Sequence, residues 1–506
     1  MRYPRISLAC LPWRVLLVMA IAFKVRLSWW RSAPGAAYFP DSMCYWPMGG
    51  PCASGHSWTV KYLWNFLTNH HMSEYRVLVL QLILGLACSA FVFATLRLLV
   101  QPNVALVLAI AFSSIPQIVF MERAILTESV ELTLVTFGTF VIVVTMKVRN
   151  PWVQALALSI AALTYGLAVS IHAASLIALG MSVAVASIAI ALRGRWTIRD
   201  SWRCWIVRVA LMASLPVLFV APSIPVLNLH ERTFGVWGYS PIANETLVFR
   251  WSPIISCDLR PHTPELTRAV VSSACRNSVF FPVPGTNLDP VFDAETQALV
   301  REHRNQFALA SKEFGSIAMK AIVNHPWVVA REMSRSILWQ VSRERQFDQY
   351  EPAAAYLNPV VPKKLVFPNW HQWFGVHEPT ARSPFPRSLL RSSNENIVLP
   401  NHLLWIGVAA VAVRVLLGLL THRRPLYGWQ IKPLRRVELA VLLVALVQLF
   451  GLTVAVAYSS APDARYWLPF IPTMLILIAL GVLAVTKQTP MSIGISETPS
   501  DSTPLV

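Results

Sequence analysis

Charge is scarce in this chain. Only 13% of its 506 residues are Asp, Glu, Lys or Arg, while 55% are hydrophobic. A soluble globular protein carries roughly 25% charged residues. With a mean hydropathy of +0.51, the composition excludes an ordinary soluble enzyme. Acids are scarcer than bases, 25 against 43, which leaves a net charge of +18. Several catalytic signatures are also missing: HExxH, CxxC, a glycine-rich phosphate loop and a nucleophile elbow. Their absence argues against a zinc protease, an ATPase and a serine hydrolase. No internal repeat is visible.

What the chain does have is apolar runs of about 20 residues, the length that crosses a hydrocarbon core of about 30 Å. Backbone groups in lipid must bond internally, so these runs are expected to be helices. About ten spans are read, at 12–30, 77–100, 103–121, 126–147, 152–169, 173–192, 206–228, 402–420, 437–459 and 467–486. The first run contains Arg14, Lys24 and Arg26. A signal peptide would have a cleaner core before its cleavage site, so an uncleaved span is the preferred reading.

The basic residues set the expected orientation. With the N-terminus inside, the inner loops contain Lys147 and Arg149, then Arg193, Arg195, Arg199 and Arg203. Arg423, Arg424, Lys432, Arg435, Arg436 and Lys487 follow on the same side. The positive-inside rule accounts for this distribution without nucleic acid. The basic residues of the long loop could face anionic headgroups or a phosphorylated substrate.

The expected fold is therefore an all-α polytopic membrane protein. A transmembrane core at 1–228 includes the first external loop, 31–76. A large extracytoplasmic region at 229–401 follows, then C-terminal spans at 402–486 and a disordered tail at 487–506. The external region contains two amphipathic patterns, Glu295 to Ile322 and Pro326 to Val341, with apolar residues at helical spacing. Trp327 and Trp339 suit an interfacial helix. Cys44, Cys52, Cys257 and Cys275 all fall outside, and four cysteines allow three pairings. Cys44–Cys52 and Cys257–Cys275 are the expected bridges, with free thiols as the alternative.

Three short segments bring chemistry to the external face. In Tyr38-Phe39-Pro40-Asp41-Ser42-Met43-Cys44-Tyr45-Trp46, a carboxylate follows the first span. Asp41 is either a solvated loop residue or a base within reach of an acceptor hydroxyl. In Glu122-Arg123-Ala124-Ile125-Leu126-Thr127-Glu128-Ser129-Val130-Glu131, the acids Glu128 and Glu131 share a helix face. Glu128 also suits a helix N-terminus through the dipole. Glu131 lies a turn deeper and needs a polar cavity or a partner. Arg465-Tyr466-Trp467-Leu468-Pro469 opens the last span, either as an interfacial anchor or as a phosphate-binding guanidinium. His172, between the fifth and sixth spans, either lines the cavity or is a satisfied core histidine.

Together these segments resemble the GT-C membrane glycosyltransferases, in particular the protein mannosyltransferase and aminoarabinose transferase branch. The resemblance rests on Pro40-Asp41-Ser42 with Tyr45 after the first span, and on Arg123 five residues before Glu128-Ser129. It also includes Arg465-Tyr466 two residues before Pro469, and Asn324-His325-Pro326 ahead of an amphipathic helix. Asp41 is followed by Ser rather than the acidic neighbour common in protein mannosyltransferases, and loop 229–401 matches no named branch.

The resemblance implies a sugar donor linked to polyprenyl phosphate and an acceptor that is a glycan, lipid or protein. It implies Asp41 as base, Glu128 as an orienting acid, and Arg465 with Arg123 on the donor phosphate. Tyr45, Glu131, Tyr466 and His172 would support them. Transfer would invert the anomeric centre. No cofactor is required, although a divalent metal at Asp41 and Glu128 is compatible with the pattern. The implied location is a bacterial inner membrane, with the active site facing the extracytoplasmic side. The alternatives are a flippase for lipid-linked saccharides or an enzyme of the O-antigen polymerase or ligase type. A flippase would place charges near the midplane and often show a repeat.

Overall fold

A computed structural model describes residues 11–32, 74–122, 127–148, 150–193, 213–239, 243–259, 263–276, 307–342, 399–421, 429–431, 436–459, 464–482 and 485–487. The helices are α1 (Leu11–Ser32), α2 (Glu74–Leu99), α3 (Pro102–Ser113), α4 (Pro116–Met121), α5 (Glu128–Lys147), α6 (Pro151–Ile171) and α7 (Leu176–Arg193). Then come α8 (residues 213–220), α9 (Ile224–Phe234), α10 (Ala243–Arg250), α11 (Glu265–Arg276), α12 (Phe307–Asn324) and α13 (Pro326–Ser342). Three more described helices, α14 (Leu399–Thr421), α15 (Arg436–Ser459) and α16 (Ile471–Val482), follow.

Among the described residues, six segments are long and apolar enough to cross a membrane: Tyr75–Leu99, Glu128–Lys147, Trp152–Ile171, Ala173–Leu192, Ala213–Arg232 and Arg436–Tyr458. Three apolar helices, Pro102–Ser113, His402–Gly418 and Trp467–Gly481, are shorter. α1 has the length, at 22 residues, but carries Arg14, Lys24, Arg26 and Arg31. The architecture is that of an α-helical, multi-span membrane protein.

Proline interrupts the regular α-helix in three of the expected runs. The run at 103–121 is two helices, because Pro116 has no N–H to donate and its ring opposes a continuous helix. The run at 206–228 passes through a 3-10 turn at Ala221–Ser223, where Pro222 sits. It then continues as α9 to Phe234, beyond the expected core boundary at 228, and ends at Gly235, whose φ of 68° is left-handed. The run at 467–486 begins as the 3-10 helix Ala464–Phe470 around Pro469 and is α-helical only over Ile471–Val482. Among the described residues, a small antiparallel pair, β1 (Trp429–Ile431) with β2 (Val485–Lys487), departs from an all-α chain. Lys487, expected in the tail, belongs to that pair; the rest of the tail lies outside the described residues.

Contacts between helix ends sort the bundle into two faces. On one, Arg14 donates to Asn103 at 3.2 Å, and β1 meets β2. We call this the basic face, since Lys147, Arg193 and Lys487 lie there. On the other, Trp30 meets Tyr75 edge-on, with ring centroids 5.9 Å apart, and the Trp251 indole donates to the Tyr458 carbonyl at 3.2 Å. We call this the site face.

The bundle core is apolar and continuous through α2, α3, α5, α6, α7, α15 and α16. α15 approaches α7 closely: a Cβ at Gly451 would stand 2.9 Å from the Ala178 Cα. A polar lock crosses this core. Gln448 donates to the Tyr165 hydroxyl at 2.7 Å and to Thr139 at 3.3 Å, while Thr473 donates to its carbonyl at 2.7 Å. It ties α5, α6, α15 and α16 together. A second core, on the site face, joins α10, α11 and α12 through Val248, Trp251, Leu266, Val270 and Phe314. The Cys257–Cys275 disulfide clips α11 to the preceding segment. Cys44 and Cys52 lie outside the described residues. α12 and α13 cover most of the two expected amphipathic stretches. α13 packs against α15, and Trp327 at its far end is 85% exposed.

Candidate functional site at the bundle face

The N-terminus of α5 carries two buried acids. Glu128 is 3% exposed and accepts from the Thr127 hydroxyl at 3.2 Å. Glu131, one turn deeper, is fully buried and engaged at both oxygens. His172 Nδ1 lies 2.8 Å from Oε2, and the Ser175 hydroxyl donates to Oε1. The turn between α6 and α7 makes this meeting possible. His172 closes α6 with its N–H on the Ala168 carbonyl, and extended backbone there (φ −140°, ψ 100°) starts the 3-10 turn Ala173–Ser175. Glu131 therefore has the partners its depth requires.

His172 is held but not sealed, with its side chain 20% exposed. A carboxylate at Nδ1 favours the proton on that nitrogen and fixes the plane of the ring. The arrangement can orient an imidazole toward a substrate hydroxyl. Gln81 of α2 donates to Ser129 at 3.1 Å, anchoring the same turn from a third helix.

An ion pair missed in the sequence meets α2 at Gly85, one turn beyond Gln81. Arg26 of α1 grips Glu122, just past α4, through two bonds of 2.6 Å. Its guanidinium also reaches the carbonyls of Ala22 at 3.2 Å and of Ser113 and Gly85 at 3.4 Å. Gly85 is needed here, because a Cβ would collide with the Glu122 carboxylate. The signal was available: an arginine inside an apolar run calls for a named partner. Arg414 was missed for the same reason; it pairs with Glu438 at 2.9 Å on α15.

Of the residues expected at the site, the fold brings Glu128, Glu131 and His172 to one face. The 3-10 helix carrying Arg465 and Tyr466 packs on α5, burying Trp467 and Leu468 in the core. The side chains of Arg465 and Tyr466, and all of Asp41, Tyr45 and Arg123, lie outside the described residues. Among the described residues, no three His, Cys, Asp or Glu side chains gather as a metal-binding group. One member of the expected metal pair, Asp41, is outside them.

Beyond the bundle, burial shifts two groups on α10. It pushes Glu245 up to about 7. It also lowers Arg250 to about 10, with nearby Glu332 opposing the shift. Compared with family models, curated proteins and solved structures, the chain matches none.

Proposed function

We propose that the chain is an integral-membrane glycosyltransferase of the GT-C type with about ten membrane helices, its basic face toward the cytoplasm. It transfers a sugar from a polyprenyl-phosphate donor to an acceptor hydroxyl at the extracytoplasmic face of a bacterial inner membrane. One observation supports this reading above the others. Buried acids on α5, a carboxylate-held histidine and the turn bearing Arg465 all converge on one face of the bundle, beside a helical external region. A lipid-borne donor places its reactive carbon at that boundary while its tail stays among the helices.

In this mechanism the acceptor oxygen attacks the anomeric carbon from the side opposite the phosphate. A bond forms from oxygen to carbon, and the carbon–oxygen bond to the phosphate breaks. The phosphate leaves with the electron pair, and the acceptor proton passes to Asp41. Arg465, with Arg123, meets the charge growing on the phosphate. Glu128 orients the acceptor or Arg123. Glu131 holds the His172 ring as a second polar contact for the acceptor. No step is routed through a metal.

The test uses membranes with matched amounts of wild type, Asp41→Asn and Glu131→Gln, each given a panel of radiolabelled polyprenyl-phosphate sugars. Wild type should release label from one donor. Asp41→Asn should lose about 100-fold or more, as expected for removal of a general base. Glu131→Gln should lose less and change the pH profile. No release from any donor by folded wild type would overturn the reading in favour of a flippase or a diphosphate-linked substrate.

A further inference from the structure

A second polar site lies where the external helices meet α15. Arg250, the last residue of α10, donates through Nε to the Ala457 carbonyl at 3.1 Å. Gln340 of α13 donates to the Thr453 carbonyl at 3.4 Å. Thr453 and Ala457 are one turn apart, so both helices dock on the same strip of α15. On α13, Glu332, Ser336 and Gln340 recur every four residues and form one buried stripe along that contact.

Much of the polar capacity in this seam is unspent. Arg250 is 1% exposed, yet its Nη1 and Nη2 have no hydrogen-bond partner. The Ser336 hydroxyl is fully buried and also has no hydrogen-bond partner. Native interiors pair nearly all such groups, and an exception needs a reason. Stacking of the guanidinium on Trp251, 4.7 Å from the ring centroid, steadies its plane but uses none of its N–H groups. The local charge favours an anion. Buried Glu332 acts on Arg250 and is also paired with exposed Arg331 at 3.1 Å and Arg335 at 3.7 Å, so three guanidiniums share one carboxylate.

We infer that the seam between α10, α13 and α15 binds a phosphate group, with the Arg250 fork on two of its oxygens and the Ser336 hydroxyl on a third. Three donors suit the several oxygens of a phosphate better than the two of a carboxylate. The site lies at the end of a membrane span, the level at which a lipid carries its phosphate. A lipid headgroup and free phosphate share this chemistry. Because Arg250 is sealed, the seam must part to admit either. The site does not depend on the proposed transfer reaction, and its readout is binding rather than turnover.

The test uses full-length protein in neutral detergent. Calorimetric titration would compare dihexanoyl phosphatidic acid, inorganic phosphate and dihexanoylglycerol, which lacks phosphate. Wild type should bind the first and not the third. Equal affinity for inorganic phosphate would assign the site to a soluble anion. Arg250→Gln should weaken binding about ten- to a hundredfold, the worth of hydrogen bonds to a charged group. Ser336→Ala should weaken it several-fold. If Arg250→Gln does not fold, Arg250→Lys keeps the charge without the fork and should still bind more weakly than wild type. No binding by wild type, or full binding by a folded Arg250 variant, overturns the assignment.

Discussion

Breaking the Arg26–Glu122 pair from its two sides should have consequences that match at pH 7 and diverge at pH 5. Both side chains are sealed, at 3% and 4% exposure. Removing one partner of such a pair strands the other charge, at about 3–5 kcal/mol. A guanidinium cannot escape by losing its proton, so Glu122→Gln carries that penalty across the range. The three carbonyls that Arg26 also reaches place it near the lower end, about 3 kcal/mol. A stranded carboxylate can take up a proton instead. An ordinary glutamate titrates near 4.3, so protonation limits the charge penalty of Arg26→Met to about 3.7 kcal/mol at pH 7 and about 1 kcal/mol at pH 5. The stability of Arg26→Met relative to wild type should therefore fall by up to about 2.7 kcal/mol as pH rises from 5 to 7. The double variant, with no stranded charge, should recover most of the Glu122→Gln loss. Unfolding in mixed micelles with increasing dodecyl sulfate, followed by far-ultraviolet circular dichroism at both pH values, reads all three. A pH-independent penalty for Arg26→Met, or a double variant equal to the sum of the singles, would refute the reasoning.

Two further outcomes follow from the helices packed on the site face. Burial raises Glu245 from 4.5 to about 7, so the folded state keeps a proton that the unfolded state has lost between those values. Stability is then highest below about pH 4.5 and declines as pH rises toward 7, by about 3 kcal/mol in all. Glu245→Gln should remove that slope in thermal unfolding between pH 5 and 8, and an unchanged slope would count against the assignment. Replacing Cys257 and Cys275 together by Ser opens a bridge spanning 18 positions and should lower stability by about 3 kcal/mol. Chemical reduction of the wild type should have the same effect in the same calorimetric scan.

Much of the bundle was legible because lipid leaves helices few alternatives: α2, α5, α6, α7 and α15 follow the apolar runs almost residue for residue. Proline is where the helices depart most from the runs. Pro116, Pro222 and Pro469 lie inside runs whose hydropathy never drops, so a window average passes over them. At the site, the i, i+3 spacing of Glu128 and Glu131 and the placement of His172 on their side of the bundle were readable in advance. The direct contact between Glu131 and His172 was not, because it spans 41 positions and depends on the turn after Ile171. Arg250 was hidden for another reason. An arginine in a long polar loop looks ordinary until the carbonyl of Ala457, 207 residues away, comes to meet it.

The polar lock at Gln448 also bears on how the protein is made. Thr139 and Tyr165 can meet, at 2.8 Å, as soon as α5 and α6 have been inserted. Their third partner is 283 residues further along the chain from Tyr165. At about 5–20 residues per second, the ribosome reaches it about 15–60 s later. Until then the early helices form an open half-bundle, with two hydroxyls facing the place that α15 will fill. The last helices thus act as a keystone, and a nascent chain stalled before residue 436 should remain a substrate for membrane quality control.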